Sequence, residues 1–77
     1  MTSRNGGRIT WSAGNNSSYL SGEREAKTVR GAVIAGRRYV NGELMGEGTL
    51  VIYSDGVPVR LDRKDIFTKG RWESCAI

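Results

Sequence analysis

The run Leu50–Leu61, LVIYSDGVPVRL, constrains this chain more than any other segment. Two arms rich in β-branched and aliphatic residues flank Asp55-Gly56. That pair suits a type I′ turn, whose two central residues both need φ > 0. Folding about it sets Ser54 opposite Val57, Tyr53 opposite Pro58, Ile52 opposite Val59, Val51 opposite Arg60 and Leu50 opposite Leu61. Because side chains alternate faces along a strand, this register collects Leu50, Ile52, Val57, Val59 and Leu61 on one side. Val51, Tyr53, Pro58 and Arg60 fall on the other, and a slip of one residue would scramble the partition.

The rest of the chain reads as short elements around that hairpin. Residues 1–7 read as a flexible tail, and residues 8–77 as a single small β domain. Arg8–Ser12 suits a short strand with Ile9 and Trp11 on one face, and the polar stretch 13–18 suits a loop. Tyr19-Leu20 offers a brief apolar contact. Ser21 suits a helix cap, with Glu23 and Glu25 at the positive end of the dipole. The stretch Gly22–Gly36 is ambiguous: Ala26, Val29 and Val33 keep helical spacing, yet Thr28–Ala35 is β-branched and broken by Gly31. The reading favoured is a helical turn or loop to about Lys27, then a strand. Arg38–Met45 reads as a second hairpin about Asn41-Gly42, and Gly46-Glu47-Gly48 as a bend leading into Thr49–Tyr53. Asp62–Asp65 reads as a turn returning Ile66 and Phe67 to the core, with Trp72 over an open end.

Four or five short strands joined by tight turns imply an all-β, mainly antiparallel fold. The expectation is a small curved sheet or an SH3-like or Sm-like barrel, with at most one short N-terminal helical turn. A barrel removes exposed edges from a chain too small to protect them otherwise. A flat antiparallel sheet carrying one helix is the alternative. The segment Tyr39–Gly48, YVNGELMGEG, resembles the first signature of Sm-like RNA-binding proteins, with the likeness running on to Asp55. Its spacing departs from the family pattern, and the second, RNA-contacting signature has no counterpart after Leu61. The resemblance therefore implies a bent strand in a small barrel and nothing about function.

Seventy-seven residues bury a thin core, since a chain this short hides only roughly 60% of its unfolded surface. The net charge is +4, and nine of the twelve basic residues are Arg. Arginine forks onto phosphate and carboxylate and stacks on rings, which points to an acidic partner. Cys75 is the only cysteine, so no intrachain disulfide can form and a stapled secreted scaffold is disfavoured. No apolar run approaches the ~20 residues that cross a bilayer, and Met1–Arg8 has no signal-peptide core. A cytoplasmic setting without membrane contact is the expectation.

Catalytic chemistry finds little to work with. The chain has no histidine, which removes imidazole acid–base chemistry, His-based triads and His metal sites. One cysteine without histidine cannot build the usual zinc sites. The carboxylate pairs Glu43/Glu47 and Asp62/Asp65 sit in charged, turn-rich surroundings that suit capping better than catalysis. Gly46-Glu47-Gly48 has Val51 where a dinucleotide fingerprint needs its third glycine. Lys27-Thr28 lacks the glycines of a phosphate loop, with Ser21 and Ala26 in their places. Neither an enzyme nor a cofactor is expected, and no metal site.

Binding is what remains. Tyr53 and Arg60 on the non-core face, joined by Arg38, Arg63 and Lys64, make the candidate site: a ring to stack on a base and cations to hold phosphate. Trp11 and Trp72 read as core or lid residues. The sequence thus suggests a small non-enzymatic protein that contacts nucleic acid or a nucleic-acid-handling complex. The alternative is a protein-binding inhibitor of a host enzyme or defence complex, of the kind small phage-encoded chains provide, in which the same arginines meet an acidic protein surface. A third reading is a homo-oligomer that sequesters a nucleotide between its copies.

Overall fold

The Asp55-Gly56 turn forms as its residues require, with φ of +50° and +82°. It sits in a computed structural model that describes residues 8–20 and 22–77. The elements run β1 (Ile9–Gly14), β2 (Arg24–Ala26), α1 (Val29–Glu43), β3 (Gly48–Ser54), β4 (Val57–Lys64) and β5 (Glu73–Ala76). The strands build one antiparallel sheet in the order β2-β1-β3-β4-β5. Because β2 and β3 both run antiparallel to β1 and flank it, they are parallel to each other. Helix α1 is the crossover that joins them, passing over β1.

The fold is thus a small, mainly antiparallel β structure with one helix. Among the described residues no pairing joins β2 to β5, so the sheet is open and no barrel closes. The helix is longer and later than the sequence suggested. It begins at Thr28, whose Oγ1 accepts a 2.9 Å hydrogen bond from the Gly31 amide, and it runs through Asn41-Gly42. The expected strand at Thr28–Ala35 and the hairpin at Arg38–Met45 are therefore both incorrect. Local propensity favoured them, but Ala32, Gly36, Val40 and Leu44, spaced four apart, form a stripe that tertiary packing rewards. With Tyr39–Glu43 helical, the likeness to an Sm-like bent strand also falls away. Ser21 and residues 1–7 lie outside the described residues. Glu25, placed in that early helical turn, belongs to strand β2.

Helix α1 packs on one face of the sheet. Ile9, Trp11 and Ala13 from β1 and Leu50 and Ile52 from β3 meet Ala32, Val40 and Leu44. Leu50 and Ile52 are fully buried, and burying a side chain of that size contributes about 1.5–3 kcal/mol. Gly36 lets the helix backbone approach, since a Cβ there would lie 2.3 Å from Leu50 Cδ1. No helix among the described residues is long and apolar enough to cross a membrane.

The hairpin register changes partway along. Ser54 pairs Val57 and Tyr53 pairs Pro58 as expected, but beyond them Ile52 pairs Arg60, Val51 pairs Leu61 and Leu50 pairs Asp62. Val59 is the extra residue of a β-bulge. Past the bulge every side chain of β4 changes face: Arg60 and Asp62 join the helix side, and Leu61 leaves it. Strand β4 also continues to Lys64, so Asp62–Lys64 is not a turn. The turn that follows leaves Ile66 and Phe67 exposed instead of returning them to the core. The tail instead adds β5 as an outer strand beside β4.

Candidate binding cleft

The exposed flank of α1 nearest β2 builds a cleft from residues at i, i+3, i+4 and i+7: Ala35, Arg38, Tyr39 and Gly42. Trp11 and Arg24, directly paired across β1 and β2, supply the opposite wall, and Glu43 also lines the cleft. The cleft is wide open to solvent, with a volume of about 630 Å³. The small residues Ala35 and Gly42 leave room beside the two large ones. Trp11 is buried and holds Tyr39 at a ring separation of 5.9 Å, tilted by 59°. The Arg24 guanidinium lies 5.8 Å from the Trp11 ring centre and 5.4 Å from that of Tyr39. Both distances suit attraction between a cation and a ring face. Among the described residues neither Arg24 nor Arg38 forms an ion pair. Two guanidinium groups without ion-pair partners thus border an aromatic pair in one concavity, which acidic Glu43 also lines.

The opposite flank of α1 is a polar clamp. Arg37 reaches from the helix to Asp62 through Nε at 3.0 Å and Nη2 at 2.8 Å. Arg60 donates to the other carboxylate oxygen at 2.9 Å. Both arginines also donate to the Ser74 hydroxyl, which ties β5 into the network. Arg37 stacks 4.9 Å from the Trp72 ring centre, and Lys64 lies 5.7 Å from it while donating to Asn41 at 2.8 Å. Asp62 has no solvent exposure. Burial pushes its pKa up, but hydrogen bonds from Arg60, then Arg37, then Ser74, and the Arg60 charge outweigh that and hold it below the ordinary value of 3.8.

The five residues picked from sequence therefore do not form one patch. Arg38 lines the cleft. Arg60 and Lys64 belong to the clamp on the far flank. Tyr53 and Arg63 lie on the face of the sheet that no helix covers, with Arg63 3.7 Å from Asp65 and 3.9 Å from Glu73. The expected neighbours Tyr53 and Arg60 are on opposite faces because the Val59 bulge intervenes. Arg37 and Arg38 do serve different sites, though through helical rotation and not strand alternation. Sequence reasoning did not single out Arg24 or Tyr39, while its core reading of Trp11 holds, since that ring is buried in the core. The signal was the spacing Ala35, Arg38, Tyr39, Gly42, which is visible once the segment is taken as a helix. Comparison of the chain with protein-family models, curated proteins and solved structures gives no match in any of the three.

Proposed function

We propose that this chain is a small non-enzymatic binding protein that contacts nucleic acid through Arg24, Arg38 and Tyr39, with buried Trp11 supporting the Tyr39 ring from behind. The observation that carries the reading is the pair of unpaired guanidinium groups bordering an aromatic wall. Arginine in such a setting neutralises phosphate and releases counterions, and a ring beside it offers a stacking surface to an unpaired base. The net charge of +4 adds a favourable long-range field.

The test is fluorescence anisotropy with a labelled single-stranded oligonucleotide over a series of salt concentrations. Affinity falls as salt rises, with a slope of about −0.7 per phosphate contacted. Arg24→Ala and Arg38→Ala each weaken binding and flatten that slope by roughly one contact. Tyr39→Leu costs about 1–3 kcal/mol, the range for losing one stacked base. Arg63→Ala, on the uncovered face, leaves binding as it was. Absence of binding at low salt, or equal losses from Arg63→Ala and Arg38→Ala, rejects the cleft.

A further inference from the structure

The large apolar side chains most exposed to water are gathered at one end of the molecule. Tyr19, Met45, Ile66 and Phe67 are each 74–87% exposed. They come from three loops that meet there: the one after β1, the one between α1 and β3, and the one after β4. Their convergence follows from the register, because Gly14 pairs Thr49 and Gly48 pairs Lys64. Tyr19 bridges back to Gly14, and Asn15 Nδ2 donates to the carbonyls of Leu44 and Glu47. A groove of about 370 Å³ runs between Asn15–Ser17 and Glu47–Thr49 on one side and Asp65–Phe67 on the other.

The tip is preorganised. Asp65 Oδ1 accepts from the amides of Phe67 at 2.8 Å and Thr68 at 3.0 Å, and buried Thr68 exchanges hydrogen bonds with the Asp65 backbone. A turn fixed this firmly presents Ile66 and Phe67 to water at no gain to its own core. A backbone held in this way has little entropy left to lose on docking.

We infer that this end is the contact surface for a second copy of the chain, related by a two-fold axis. Two observations select a second copy as the occupant. The two aromatic side chains, Tyr19 and Phe67, bury about 150–250 Å² each when covered, and with the smaller Met45 and Ile66 the tip supplies on the order of 500 Å². A biological interface takes roughly 500–800 Å² from each partner. The charges are also self-complementary. Glu47 stands on one wall of the groove, while Lys69 and Arg71 belong to the loop that forms the other, and none of the three forms an ion pair among the described residues. A two-fold operation brings Glu47 of each copy toward Lys69 and Arg71 of the other, as an isologous contact requires.

Sedimentation velocity of the full chain, from micromolar to millimolar, tests this. The expected mass rises from 8.4 kDa toward twice that value and stops there. Phe67→Asp stays monomeric while keeping the wild-type circular dichroism spectrum. Glu47→Lys alone, and the Lys69→Glu/Arg71→Glu double variant alone, are each monomeric through like-charge repulsion. Mixed together they form a dimer, a rescue that a misfolded variant cannot give. A monomer at every concentration overturns the inference and leaves the tip to a different protein. Association that persists in Phe67→Asp, or a mass that climbs past two copies, overturns it too.

Discussion

Asp62 shows how one misplaced residue in a strand register changes the meaning of its neighbours. Read without the Val59 bulge, it is a polar residue of a surface turn. With the bulge it points beneath the helix and becomes the buried anion that holds Arg37 and Arg60. Nothing in LVIYSDGVPVRL marks where the extra residue falls, so the turn and the first two pairs were legible and the remaining pairs were not. The carboxylate titrates at lower pH in the folded chain than in the unfolded one. The unfolded state therefore binds the proton more readily, and the stabilisation is present above about pH 4 and lost as pH falls through the folded value. Asp62→Asn removes it. At pH 7 that variant is less stable by about 1.5–3 kcal/mol, the scale of hydrogen bonds to a charged group. In urea unfolding, the gap between wild type and Asp62→Asn narrows steadily below pH 4. A gap of equal size at pH 7 and pH 3 contradicts this account.

Helix α1 was the element hardest to see. Val29 and Val33 are β-branched, Gly31, Gly36 and Gly42 weaken any helix, and Asn41-Gly42 is a favoured hairpin turn. What outweighs these is a four-residue spacing, Ala32, Gly36, Val40 and Leu44, whose value depends on a sheet the local sequence cannot show. Gly36 is the clearest case, unfavourable for the helix and necessary for its seat on Leu50. Gly36→Ala should gain about 1 kcal/mol in helix propensity. It should lose more than that by overpacking, about 1–3 kcal/mol, because Leu50 is fully buried and has nowhere to move. Leu50→Ala alone costs about 2–5 kcal/mol. In the double variant the new methyl enters the space the leucine left, so the combined loss is smaller than the sum of the two single losses. Additive losses in a double-mutant cycle would show that helix and strand do not meet there. At the start of the helix, Thr28→Ala costs about 1 kcal/mol, measurable by the same unfolding experiment.

The sheet presents different surfaces to different neighbours. One face carries α1, the cleft on its β2 flank and the clamp on the other; the three converging loops lie at the end of the sheet. That division was invisible in the sequence because it depends on the crossover of α1 above β1, which places Arg24 and Arg38 on one flank and Arg37 on the other. The proposed cleft and the proposed two-fold contact use separate residues, so they predict a joint behaviour that neither predicts alone. A dimer carries two clefts. A strand long enough to reach both binds the second at high effective concentration and gains avidity, by up to about 10²–10⁴-fold where the span is matched. An oligonucleotide too short to bridge gains nothing. Phe67→Asp should therefore leave the affinity for a short oligonucleotide unchanged and reduce that for a long one to nearly the same value. Arg24→Ala should weaken both. The measurement is anisotropy on an oligonucleotide length series with each variant, at fixed salt and at a protein concentration where the wild type is dimeric. Equal losses from Phe67→Asp at every length would mean that the tip itself touches nucleic acid, and the assignment of the two surfaces would have to be exchanged.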